Sequence, residues 1–125
     1  MKKDMITARH FSEGEFKRCV PSCSLQDMNQ STMDRLDRAR DLAGIPFKLN
    51  CAYRTKAWDL SKGRNGNSAH TRGRAVDIAA NNSATRMKVV RGLLSAGFTR
   101  IGIAKNFVHA DDDPTLPQNV MFDYY

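Results

Sequence analysis

The 125-residue sequence contains no apolar run approaching the roughly 18 residues that a membrane-spanning helix requires. Its opening stretch, MKKDMITARH, carries lysines but no apolar segment behind them, so no secretory leader is expected. The expectation is a chain made in the cytoplasm that, if it acts elsewhere, leaves by another route. Cysteine is scarce and odd in number: Cys19, Cys23 and Cys51. Such a set does not suit a disulfide framework, and reduced, partly buried thiols are expected. Cys19 and Cys23 are close enough for a pinned loop or half of a metal site, but the further Cys or His partners of a zinc knuckle are missing. Internal repeats, low-complexity tracts and the signatures of helix-turn-helix, zinc-finger or RNA-recognition modules are also absent.

What remains is an ordinary globular composition, 41% hydrophobic and 26% charged, of a length that fits one domain spanning residues 1–125. The net charge is +7, which favours an anionic partner: nucleic acid, a membrane surface or an acidic polymer such as a bacterial wall. The arginines are scattered rather than gathered into a basic tail, so a merely solvated basic surface is an equal reading.

Hydrophobic spacing outlines the elements. HFSEGEFK (10–17) reads as a helix start with Ser12 as cap, broken by Pro21. A helix is expected over 31–43, where Met33, Leu36 and Ala43 recur at helical spacing before Gly44. Alternation predicts a strand over 47–53, and residues 54–73 read as one long polar, Gly-rich excursion. Strand character returns over 74–80, a helix follows over 84–96, and two strands (98–104 and 107–111) flank a Lys105-Asn106 turn. NVMFDYY is a last candidate strand. Helices segregated from a few mostly antiparallel strands give an α+β class.

The chemistry gathers in SAHTRGRAVDIAA (68–80) and FVHADDD (107–113). In AVDIAA, Val76 and Ile78 share one strand face, while Ala75, Asp77 and Ala79 share the other. A carboxylate in apolar surroundings is costly unless paired, hydrogen-bonded or metal-bound. His70 precedes Asp77 across a turn pivoting on Gly73, and on the later strand Phe107, His109 and Asp111 face one way. Two His and one Asp leave a fourth position open, the pattern of catalytic rather than structural zinc, which activates water and polarises a carbonyl. Bland alternatives stand beside this: His70 as an exposed loop residue, His109 as a satisfied core histidine, and Asp77 as a turn cap or a partner of Arg72 or Arg74.

These two segments together resemble the zinc D-alanyl-D-alanine carboxypeptidase family, which includes phage-borne peptidoglycan peptidases. The shared pattern is Ser-x-His-x-x-Gly-x-Ala-x-Asp and a later strand His, here Ser68, His70, Gly73, Ala75, Asp77 and His109. CAYRT resembles the family's Ser-x-Tyr-Arg segment, with Tyr53 and Arg54 in place and Cys51 where Ser is usual. The resemblance implies a DD-peptidase-like fold, also called Hedgehog-like: a small antiparallel sheet bearing the zinc, with helices behind it. It implies His70, Asp77 and His109 as Zn2+ ligands, with Arg54, Ser68 and Tyr53 on the substrate side. Arg54 would anchor a substrate carboxylate or polarise the scissile carbonyl.

Relatives place a Glu three residues before the last ligand as general base, or a His two before it; here these are Asn106 and Phe107. Asp111 is the substitute, either as catalytic proton acceptor or as a group orienting the His109 imidazole. Asp112 and Asp113 read as turn residues before Pro114. Trp58-Asp59 stands where relatives carry His-Asn. The expectation is therefore a monomeric zinc peptidase cutting peptidoglycan stem peptides, a phage or lysis product acting on the cell wall. A catalytically weak zinc-containing binding protein and a basic nucleic-acid-binding protein are the rival classes.

Overall fold

The computed structural model describes residues 5–124, so MKKD and the last tyrosine of NVMFDYY fall outside the described residues. The helices are α1 (Glu13–Lys17), α2 (Gln30–Ala43), α3 (Lys56–Ser61) and α4 (Ser83–Ser95), and the strands are β1 (Leu49–Cys51), β2 (Ala75–Ala79), β3 (Arg100–Ile103), β4 (Phe107–Asp111) and β5 (Val120–Asp123). Short 3-10 turns occupy Leu25–Asp27 and Ala69–Arg72. One five-stranded sheet forms in the order β1-β2-β4-β3-β5. The pairs β1–β2, β2–β4 and β3–β4 are antiparallel, whereas β5 joins β3 in parallel, so the α+β class holds with a mixed sheet.

Local chemistry starts and stops the helices where the spacing indicates. Asn29 caps α2 by accepting from the Ser31 amide at 3.0 Å, and Asn82 caps α4 by accepting from Thr85 at 2.8 Å. The two helices pack on each other where Gly92 lies against Ala39 and Ala43. Their apolar faces, including Met33, Leu36, Val89 and Leu93, share one core with Val76, Ile78, Ile101, Val108 and Ala110 from the sheet. Strand alternation therefore sends Ala75, Asp77, Gly102, His109, Asp111 and Phe122 to the other face, which carries the site.

Three expectations change. The strand over 47–53 shrinks to Leu49–Cys51 with an irregular register, because the chain leaves the sheet at Ala52, whose carbonyl turns to His70 Nδ1 at 2.6 Å. The excursion over 54–73 contains α3 and a 3-10 turn. Thr55 caps α3 by accepting from Trp58 at 3.0 Å. Asp112 and Asp113, read as turn residues before Pro114, are buried and ion-paired, and Asp113 does open a turn by accepting from the Thr115 amide at 3.0 Å. Asp112 takes Thr32 Oγ1 at 2.6 Å, Arg35 at 3.2 Å and Arg74 at 3.6 Å; Asp113 takes Arg72 Nε at 2.5 Å. All three cysteines are free thiols, two of them buried. Among the described residues, no helix is long and apolar enough to cross a membrane.

Candidate functional site

His70 sits in the 3-10 turn that ends at Gly73, whose φ of 69° is the left-handed region that glycine tolerates. A Cβ at Gly73 would also lie 2.4 Å from the Asp27 carbonyl, so only glycine lets this turn pack against the segment that leads into α2. The turn delivers His70 to the start of β2. Asp77 and His109 are direct cross-strand partners on β2 and β4.

These three meet. Asp77 Oδ1 lies 3.4 Å from His70 Nε2 and 3.1 Å from His109 Nδ1, and the imidazole centroids are 5.1 Å apart. The far nitrogen of each ring is fixed by an acceptor: His70 Nδ1 by Ala52 O at 2.6 Å, His109 Nε2 by Asp111 Oδ2 at 2.6 Å. Acceptors on those nitrogens leave the facing ones as lone pairs in the neutral rings. Both imidazole lone pairs then face the same Asp77 oxygen, which is unfavourable without a cation. Zinc bonds of ~2.0–2.1 Å in tetrahedral geometry space their ligand atoms by about 3.3 Å, close to the separations seen here. The donor set fits a zinc ion, and the outer acceptors supply the usual support for ligand imidazoles.

Without a cation, a proton on the imidazoles takes the same point. Burial alone would raise the Asp77 carboxyl, but the His109 and His70 imidazoles outweigh it and hold it well below the ordinary carboxylate range. Burial would lower His109, yet the Asp111 and Asp77 carboxylates raise it. Cys51, His70 and Asp77 bring possible donor atoms within 4.8 Å of one another. Cys51 Sγ, however, lies 3.8 Å from His70 Nδ1, the nitrogen already given to Ala52 O. Burial, then the Asp77 charge, push the Cys51 thiol up to about 12, so it is a protonated neighbour at neutral pH.

Asp111 is buried and doubly held. Besides His109 it takes Arg100 Nε at 2.9 Å and the Asp113 amide at 3.2 Å. Arg54 lies beside the three converging residues, its Nε 2.9 Å from Asp59 Oδ1 and its Nη2 donating to Ser68 Oγ at 3.2 Å. Ser68 in turn donates to Asp59 Oδ2 at 3.0 Å. A cleft of about 350 Å3 is lined by Arg54, Ser68, His70, Asp77, His109 and Asp111, and also by Arg64, Phe107, Phe122 and Tyr124. Tyr53 is not brought in, since its ring packs against the hydrophobic core. A larger hollow of about 620 Å3 beside β1, lined by residues such as Glu15, Arg18 and Phe47, holds no comparable cluster of donors.

Sequence reasoning did not assign Arg64, Arg100, Phe122 and Tyr124 to the cleft, nor Asp59 to the support behind Arg54. The alternation of Val120, Phe122 and Tyr124 signals a strand, but not which neighbour it pairs with or which face it shares. A family model described as Peptidase M15 matches residues 7–111 of the chain. None of the curated proteins compared with the chain matches it.

Proposed function

The chain belongs to the peptidase M15 family, and on that premise we propose that it is a zinc peptidase hydrolysing amide bonds in the peptide stems of bacterial peptidoglycan. The observation that carries this reading is that His70 Nε2 and His109 Nδ1 lie 3.4 and 3.1 Å from the same oxygen, Asp77 Oδ1, in an open cleft. These three residues would hold the metal. A zinc ion bound there supplies a Lewis acid that polarises a carbonyl and makes water nucleophilic at neutral pH.

The remaining roles fall to the chain's own groups. Asp111 accepts from His109 Nε2 and so keeps Nδ1 turned to the metal point. With one oxygen on His109 and the other on Arg100, it acts through the imidazole rather than as a free proton acceptor. Arg54, fixed by Asp59 and Ser68, presents a positive charge to the cleft where a substrate carbonyl or carboxylate arrives. Residues 1–125 then serve as one catalytic domain whose site faces an anionic cell-wall polymer, as a phage or lysis product would.

Incubating purified, zinc-loaded chain with peptidoglycan tests this. Free D-alanine among the products marks a carboxypeptidase, and longer peptide fragments mark an endopeptidase. Absence of any cleavage product from the zinc-loaded chain would exclude the peptidase reading.

A further inference from the structure

The family match ends at residue 111, yet the cleft is completed by β5, at residues 120–123, and by Tyr124 just after it. Gly102 of β3 stands between His109 of β4 and Phe122 of β5 in one row across the sheet. A Cβ at Gly102 would lie 2.6 Å from the Phe122 ring and 3.0 Å from that of Tyr124. The missing side chain is what lets both rings lie over β3. Phe122 thereby reaches His109, with centroids 5.7 Å apart, under the Arg100 guanidinium at 5.6 Å. Tyr124 leans on Phe122 at 5.8 Å and on Phe107 at 5.3 Å, so three rings form a continuous wall. Tyr124 keeps 53% of its surface exposed, an apolar ring with no cover of its own beside the proposed metal point. The cleft also carries Arg64, whose side chain is 49% exposed and reaches Asp59 only at 3.9 Å.

Resting on the peptidase reading, we propose that Phe122 and Tyr124 are specificity-determining residues of this cleft. They select peptides that lay an aliphatic side chain beside the scissile bond against the ring wall, with Arg64 favouring an anionic group further along. Ring contact of this kind acts on substrate binding, because it is made equally before and during reaction.

The test uses the zinc-loaded full chain and two peptide series identical except for leucine or glycine next to the scissile bond. Kd is read by calorimetry, and kcat and KM by released amine. Wild type prefers the leucine series by roughly tenfold or more in Kd and KM, the scale of one apolar group in a pocket. Tyr124→Ala and Phe122→Ala reduce that preference to about twofold or less, through a raised Kd and KM for the leucine series, with zinc content retained. Tyr124→Phe keeps the preference, since the ring and not the hydroxyl makes the wall. A preference unchanged in both alanine variants while cleavage continues overturns the proposal and leaves the peptidase reading standing. Loss of kcat with the preference intact also overturns it, because the rings would then only steady His109. A zinc-loaded wild type that neither binds nor cuts either series overturns both.

Discussion

Asp59 has no exposed surface, and its carboxylate is shared by Arg54 at 2.9 Å and the Ser68 hydroxyl at 3.0 Å. Truncating one partner of a buried pair leaves the other charge stranded. Asp59→Ala is expected to lose about 3 kcal/mol or more in urea denaturation, and an unchanged midpoint would show that Arg54 is solvated despite its burial. Asp113 provides the pH counterpart. Burial alone would raise its carboxyl, but Thr115 and Arg72 outweigh it and hold it below the usual value. A depressed carboxyl contributes stability above the ordinary carboxylate pKa, near 3.9, and loses that contribution as pH falls through its folded value. Acid unfolding of Asp113→Asn should therefore be shallower below about pH 4 than that of wild type. That His70, Asp77 and His109 come close together was legible in residue type and spacing, whereas the place of Arg54 and Ser68 beside them came only from the family resemblance. Tyr53 packs against the core rather than lining the cleft, and its direction depends on where the chain leaves the sheet. The choice for Asp111 between taking a proton and orienting His109 depends on the placement of Arg100, which spacing does not show.

At the scale of elements, the turn that carries His70 is the sensitive part. Gly73 combines a left-handed φ with a close approach to Asp27. Gly73→Ala should destabilise the chain by more than about 1 kcal/mol and weaken zinc affinity in a competitive chelator titration. A variant equal to wild type in both would show that the turn has room to shift. Helices α2 and α4 and strands β2 and β4 were readable because their apolar residues recur at a clear period. Helix α3 was not, since its only buried residue is the charged Asp59 and no apolar stripe marks it. The parallel pairing of β5 with β3 was hidden for a different reason: a strand's partner is a long-range choice that local alternation does not encode.

For the whole molecule, the basic balance of +7 reads differently once the structure is known. Arg35, Arg54, Arg72, Arg74 and Arg100 all face buried carboxylates and fix the site-bearing segments to the helices and sheet. They form part of the scaffold rather than a basic patch for nucleic acid. The proposed ligands come from a turn, β2 and β4, so a bound ion links separate elements. Removing it with a chelator is expected to lower the unfolding temperature by more than about 4 °C, and restored zinc to recover it. The most direct test of the metal centre is zinc content measured on wild type, His70→Ala, Asp77→Ala, His109→Ala and Cys51→Ser. The account predicts one zinc per chain in wild type and Cys51→Ser, and its loss in the other three. Zinc kept by His109→Ala but lost by Cys51→Ser would contradict it.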